Sequence, residues 1–424
     1  MESRQPVGSR AIGHRTGHRR RAAGALVTAA CIFGLTSVTA VPAVADENVP
    51  LNSGECKFGA DYIRETPWSL QRLLTNQMWA STKGKGIRVG VIDTGIDAGN
   101  KQLEGAIGSG GISLVNGKQT DDKVGHGTKV AGIIAARPIA GSGFYGIAPE
   151  AKVIPYQQTS EEKAGTADSL AKAIRKAVDE KVDIINISQG TGANRALLPT
   201  LEQAVSYAQK NHVLIVASAG NGGADGGEKS MYPAAYSDDY SNVLAVAASD
   251  RNNERAPFSQ SGKFVQIAAP GVDMVSTVPD GGNCVDQGTS FAAPYVTGAA
   301  ALLKAKHRDW SPQQLIWHLE QTAERVNRDR NDFIGWGVVD PVAALNDDTE
   351  PSAPPQPDKP SEVADGSNIH PAAVTIGESP EDRRARISIY IVGGGLLAVG
   401  TVVGTAIAIR DWRRKTGLRT HGEA

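Results

Sequence analysis

Asp93, His126 and Ser290 are the residue types of a proton relay: an orienting acid, a base that titrates near neutral pH and a hydroxyl nucleophile. A serine attacks poorly unless such a base takes its proton. Asp93 closes the apolar run Ile87-Arg-Val-Gly-Val-Ile-Asp93 and is followed by Thr-Gly. His126 stands between two glycines at the head of a small-residue stretch, Gly125-His126-Gly-Thr-Lys-Val-Ala-Gly-Ile-Ile134. Ser290 opens the apolar run Phe291–Leu303, which reads as a buried helix with Pro294 in its first turn. There the hydroxyl would lie in a positive dipole field beside free backbone N–H groups, which suits a reaction passing through an oxyanion. Asn221, in Ala217-Ser-Ala-Gly-Asn221-Gly, adds an amide donor that could complete an oxyanion hole with the Ser290 N–H. Taken singly, these are a turn aspartate, a structural histidine and a helix-capping serine. The combination is far more specific than any member.

These residues need elements to position them. Short apolar runs recur at Ile87–Ile92, Lys152–Tyr156, Val182–Ile187, Val213–Ala217, Val243–Ala247 and Phe264–Ile267. Helical patterns separate several of them, most plainly Thr166–Lys181, where Leu170, Ile174, Ala177 and Val178 share a face. Continuous apolar strands alternating with helices predict an α/β fold, a parallel sheet covered on both faces. Ligands of such sheets bind beyond the carboxyl ends of the strands, where Asp93 and Asn221 fall. Asp97, Asp121-Asp122 and Asp238-Asp239 read as solvated loop acids. His212 reads as a solvated turn, and His307, His318 and His370 lie in polar surroundings.

A chain of 424 residues with a formal net charge of −1 carries no global field for nucleic acid. Its basic residues gather at the two ends, as in membrane proteins. Arginines in residues 1–21, an apolar run from Ala22 to Val41 and Ala43-Val-Ala45 predict a signal peptide over 1–45. Residues 46–85 form an N-terminal extension, in which Leu70, Leu73, Leu74 and Met78 give one helical apolar stripe. A catalytic domain over 86–346 follows. Residues 347–386 hold seven prolines and many acids, the composition of an extended or disordered linker. Ile387–Ile409 gives 23 residues without a charge, long enough to span a bilayer once, and a basic tail fills 410–424. With export, this arrangement places the body outside the cytoplasm and the tail within it.

The motifs Val91-Ile-Asp-Thr-Gly95, Gly125-His-Gly-Thr128, Ala217–Asn221 and Gly288-Thr-Ser-Phe-Ala-Ala-Pro294, in that order, resemble those of the subtilisin-like serine proteases. The resemblance covers about residues 66–346. It implies a subtilisin-like sheet flanked by helices, in which Asp93 orients His126, His126 deprotonates Ser290 and Asn221 binds the oxyanion. It also implies that Ser188, Gln189 and Gly190, with Ala217, Ser218 and Ala219, line the primary specificity pocket, Ser188–Gly190 pairing with an extended peptide. Pro67-Trp68, Gln158-Thr-Ser160, Gly335-Trp-Gly-Val-Val-Asp-Pro-Val-Ala-Ala-Leu345 and the linker-plus-span ending are similar to the mycosins, membrane-anchored subtilases of type VII secretion. That likeness implies an exported protein substrate and partners among the secretion system's membrane components.

About twenty residues separate Ala45 from Thr66, too few for a folded inhibitory prodomain, so the extension is expected to pack on the protease. Cys56 and Cys284 are the cysteines left after processing, and in an oxidising compartment they are expected to pair. The alternative is two free thiols. No cofactor is required by this chemistry and no EF-hand loop is present, while structural calcium stays open. A glycine-rich phosphate loop with Lys-Ser/Thr is lacking, which disfavours a nucleotide-binding protein. A scaffold in a membrane complex, with proteolysis dispensable, is the second functional reading.

Overall fold

The computed structural model describes residues 56–160, 165–225, 229–359 and 380–417. The signal-peptide and His370 expectations lie outside them, as does the end of the basic tail. Two units are present, one ending at Pro357 and one beginning at Asp358.

The first unit is built on seven parallel strands: β1 Arg88–Asp93, β2 Ile112–Ser113, β3 Lys152–Gln157, β4 Ile184–Ile187, β5 Leu214–Ser218, β6 Val243–Ser249 and β7 Ile267–Pro270, ordered β2-β3-β1-β4-β5-β6-β7. Their residues divide by the two-residue period of a strand. Val89, Val91, Leu214, Val216, Leu244 and Val246 join one core, with α3 (His126–Ala135) and α6 (Thr289–Lys306). Ile185, Ile187, Ile215, Ala217, Val243 and Ala245 join the other, with α4 (Ala167–Asp179) and α5 (Pro199–Lys210). Both faces are covered, which is why these strands are apolar without alternation. α4 follows the sequence reading closely. Thr166 and Ser169 form a reciprocal capping box, and Leu170, Ile174, Ala177 and Val178 are buried.

Several expectations are corrected. The stripe from Leu70 to Met78 is two helices, α1 (Trp68–Gln71) and α2 (Thr75–Ser81). Leu74, at the non-helical junction, is 56% exposed. The last strand begins at Ile267, where Phe264–Ile267 was expected to hold it, because Val265 and its neighbours turn into the sheet under a hydrogen bond from Val265 N–H to the Gly262 carbonyl. The two-residue β2 and the antiparallel pair β8 (Met274–Thr277) and β9 (Asn283–Asp286) are too short to show a period. His318 is buried and bonds the Ala344 carbonyl through Nε2, so its surroundings are not polar, whereas His307 stacks on Trp310 and lies 3.2 Å from Asp348. Residues 347–357 do not behave as free linker. Gln314 on α7 (Pro312–Gln321) bonds Glu350, Gln356 bonds Gln321 and Arg325, and Asp348 pairs with Lys306. α8 (Pro341–Asn346) precedes this strap.

In the second unit α9 spans Pro380–Gly417, and its stretch Arg383–Arg414, which contains an 18-residue window of mean hydropathy 2.0, is long and apolar enough to cross a membrane. It begins before the expected Ile387 because arginines are good helix formers and the linker's prolines end at Pro380.

One buried acid sits in α7. Burial pushes the Glu320 carboxyl up from 4.5 to about 8, against the opposing pull of Arg330 and Arg325. Between those values the unfolded chain has released a proton that the folded chain keeps, so stability falls as pH rises through the window. Glu320→Gln should therefore match the wild type at pH 5 and exceed its Tm at pH 9 by on the order of 5 °C. Thermal melts at the two pH values check this, and a gain independent of pH would contradict it.

Candidate active site

Asp93 is the last residue of β1 and carries no exposed surface. Its Oδ1 accepts the Thr94 N–H at 2.8 Å and lies 2.7 Å from Nδ1 of His126, while Oδ2 is buried without a hydrogen-bond partner among the described residues. A carboxylate beside Nδ1 requires the proton on that nitrogen, which leaves the Nε2 lone pair available to accept one. His126 begins α3. Gly127 must be glycine, since a Cβ there would come 2.0 Å from the Gly95 carbonyl oxygen. This close approach brings the start of α3 onto the Asp93 turn. Burial works to lower the His126 pKa, but the Asp93 charge and hydrogen bond outweigh it and hold the ring above its ordinary value. Of the neighbouring ion pair Lys129–Asp286 at 2.7 Å, the lysine pulls the histidine down and the aspartate pulls it up.

Asp122, expected to be solvated, is 4% exposed. Its Oδ1 accepts the Thr94 hydroxyl and the Gly125 N–H, both at 2.8 Å. Its Oδ2 accepts the Thr128 N–H at 2.9 Å and the Thr128 hydroxyl at 2.7 Å. Burial pushes its pKa up, against the pull of these bonds. The reason for the miss is local. An acid four residues before His126 satisfies orphan N–H groups at the start of α3, which is capping from outside the usual position. The helix start was legible, and an acid just ahead of it was the available signal.

Ser290 is the second residue of α6 and is 7% exposed, with Thr289–Leu303 all buried as the apolar run implied. Gly288, not the serine, caps the helix. Pro294 lies beyond the first turn, in the helix interior. Its missing N–H frees the carbonyl four residues back, that of Ser290, and the Ser188 hydroxyl donates to it at 2.8 Å. Ser188 is itself held by Asn186, whose amide donates at 2.9 Å and whose carbonyl accepts the Thr297 hydroxyl at 2.8 Å.

Asn221 lies just after β5. Its Oδ1 accepts the Thr289 N–H at 2.9 Å and the Thr289 hydroxyl at 2.8 Å, so its amide nitrogen turns the other way. A Cβ built on Gly288 would sit 2.9 Å from Ser290 Oγ and 3.2 Å from Asn221 Nδ2. Both groups thus border one small space that only glycine leaves open. The His126 ring rests against Phe291, with centroids 5.3 Å apart. Four residues from separate elements are gathered at the carboxyl end of the sheet: a hydrogen-bonded acid–imidazole pair, and a hydroxyl beside an amide donor.

Of the expected pocket residues, Gln189 and Gly190 are accessible and Ser188 and Ser218 nearly buried. Gln189 accepts a hydrogen bond from the Gln158 amide. Ala217 and Ala219 have no exposed surface and belong to the core on the α4–α5 face. Cys56 and Cys284 form a disulfide with Cα atoms 5.8 Å apart, fastening the extension to β9. Among the described residues no group of three His, Cys, Asp or Glu side chains could hold a metal ion.

A model of the subtilase family (Peptidase_S8) matches residues 84–337. Subtilisin Savinase from Lederbergia lenta is 38% identical over 283 residues, which are 66% of this chain and 99% of that protein. Mycosin-4 from Mycobacterium tuberculosis is 33% identical over 377 residues, 80% of each chain. A chain in the structure of an intact ESX-5 inner membrane complex is 30% identical with a TM-score of 0.62, covering 82% of this chain and 92% of that one. The parallel sheet, the motif order and these matches agree, and the chain belongs to the subtilase family of serine proteases.

Proposed function

We propose that the protein is a membrane-anchored endopeptidase in which Asp93, His126 and Ser290 are the catalytic triad. The observation that carries the reading is the 2.7 Å bond between His126 Nδ1 and Asp93 Oδ1, with the ring seated on the residue next to Ser290. His126 Nε2 takes the Ser290 proton as Oγ attacks the scissile carbonyl. The oxyanion is received by the Asn221 amide and the Ser290 N–H, donors aligned before the charge develops. His126 then gives its proton to the leaving amine, and water repeats the sequence on the acyl-enzyme. On this reading Ser188–Gly190 offers its backbone to an extended substrate, and Ala217–Ala219 lines the pocket that takes the side chain before the scissile bond. Every group in this sequence belongs to the chain, and no cofactor enters it.

The likeness to Mycosin-4, to a chain of an ESX-5 inner membrane complex and to the MycP3 protease from a type VII (ESX-3) secretion system supports a substrate among exported proteins and partners among membrane components of type VII secretion. With residues 1–45 as an export signal and α9 as one crossing, the catalytic unit faces away from the cytoplasm. The same likeness to a complex favours a second reading, in which the anchored fold also serves as scaffold. In cells carrying Ser290→Ala, processing of exported proteins should stop, while secretion persists if the scaffold role stands alone. Mass spectrometry of exported-protein termini separates the two.

Ser290→Ala should abolish fluorophosphonate labelling and lower kcat by at least about 10⁴-fold. Wild-type protein that failed to label would sink the triad reading. The base works only when neutral, so activity falls as pH drops through the raised His126 pKa. Lys129→Met removes a charge that lowers this pKa and should move the acid limb of the kcat/KM profile to higher pH. Asp286→Asn should move it to lower pH, and an acid limb indifferent to both changes would show that the limb is not His126.

A further inference from the structure

Residues 56–63 form a strap across the turn between β8 and β9. Its fixed points are the Cys56–Cys284 disulfide, the Gly59 N–H on the Pro279 carbonyl at 3.0 Å, the Asn283 N–H on the Asp61 carbonyl at 3.2 Å and the Ile63 N–H on Asn283 Oδ1 at 3.2 Å. Between the first two lies Phe58, an aromatic side chain left 41% exposed. Its ring edge fills the space beside Gly125, where a Cβ would meet ring carbons at 2.7 and 2.9 Å and Pro279 at 3.1 Å. The ring therefore stands against the residue immediately before His126. Cys284 and Asp286 share a face of β9, and Asp286 pairs with Lys129, one turn beyond His126 on α3. The strap, the ring and the ion pair all approach His126 from the β8–β9 side. Ser188–Gly190 reaches Ser290 from the end of β4 instead.

The chemistry assigns the two sides. The base must deliver its proton to the leaving amine, so the leaving half of a bound peptide passes His126, while the acyl half lies along Ser188–Gly190. We propose that Phe58 is a specificity-determining residue that receives an apolar side chain from one of the first two residues after the scissile bond. The proposal rests on the triad reading above. An exposed ring on a strap fastened at these four points offers apolar contact at little cost in side-chain freedom. The extension, on this account, completes the substrate cleft.

The test compares full-length wild type, Phe58→Ala and Phe58→Leu with two readouts. Fluorophosphonate labelling of Ser290 involves no leaving peptide and reports on the catalytic groups alone. Cleavage of a proteome-derived peptide library, mapped by mass spectrometry, reports on both halves of the cleft. The wild type should favour apolar residues at the first two leaving positions. Phe58→Ala should cut that preference about tenfold, and Phe58→Leu should retain most of it. Labelling rates should stay alike in all three proteins. A library profile unchanged in Phe58→Ala, or a wild type indifferent to leaving-side residues, overturns the proposal while leaving the triad intact. Loss of labelling in Phe58→Ala also overturns it, since the ring would then be a support for the histidine loop. A wild type that does not label fails at the triad reading itself, a result distinct from the others.

Discussion

A single buried carboxylate holds the candidate site together. Asp122 accepts from Thr94, which follows Asp93, and from Gly125 and Thr128, which flank His126. It thereby ties the turn bearing the acid to the start of the helix bearing the imidazole. Two direct bonds run beside it, from the Gly127 N–H to the Thr94 hydroxyl and from the Asp97 N–H to the Thr128 hydroxyl, each at 2.9 Å. An unpaired carboxylate in this position would be costly, and five donors, the four on Thr94, Gly125 and Thr128 and the Val124 N–H at 3.2 Å, make its burial tolerable. The glycine at 127 contributes by subtraction, letting α3 approach the Gly95 carbonyl more closely than any side chain would permit.

A second network fixes the proposed nucleophile by other means. Pro294 interrupts the hydrogen-bond ladder of α6, and the carbonyl it frees is that of Ser290. Thr297, Asn186 and Ser188 form a chain of hydrogen bonds ending on that carbonyl, so the backbone of Ser290 is anchored to β4 as well as to its own helix. Thr289, next in line, grips Asn221 and turns its amide toward the same space. The two networks meet across the His126–Phe291 contact. Positions set by strand ends and helix starts are stiff, which suits chemistry that depends on groups aligned before charge develops.

Much of this was legible in the chain alone. Continuous apolar strands announced a parallel sheet, and Asp93 and Asn221 fell at strand ends because those runs stop there. Ser290 was placed correctly at the head of a buried helix. What escaped was polar and short. Asp122 looks like any loop acid until Thr94 and Thr128 fold onto it, and those partners are far apart in sequence. Pro294 belongs to the first turn only if Ser290 caps the helix, and the cap lies two residues earlier, at Gly288. The stripe at Leu70–Met78 kept helical spacing across a break, so periodicity joined two helices into one. The sequence beside His318 does not contain Trp310 or Ala344, which pack against it in space. The strap of residues 347–357 reads as linker by composition, yet hydrogen bonds to α7 hold it.

The most direct measurement is proton NMR of the imidazole Nδ1–H in wild type and in Asp122→Asn, with circular dichroism confirming that both are folded. If Asp122 sets the distance between Asp93 and His126, the wild type shows a low-field ring proton bonded to nitrogen, and the amide substitution abolishes or broadens it. A low-field proton of unchanged shift and sharpness in Asp122→Asn, or none in the wild type, would contradict the account.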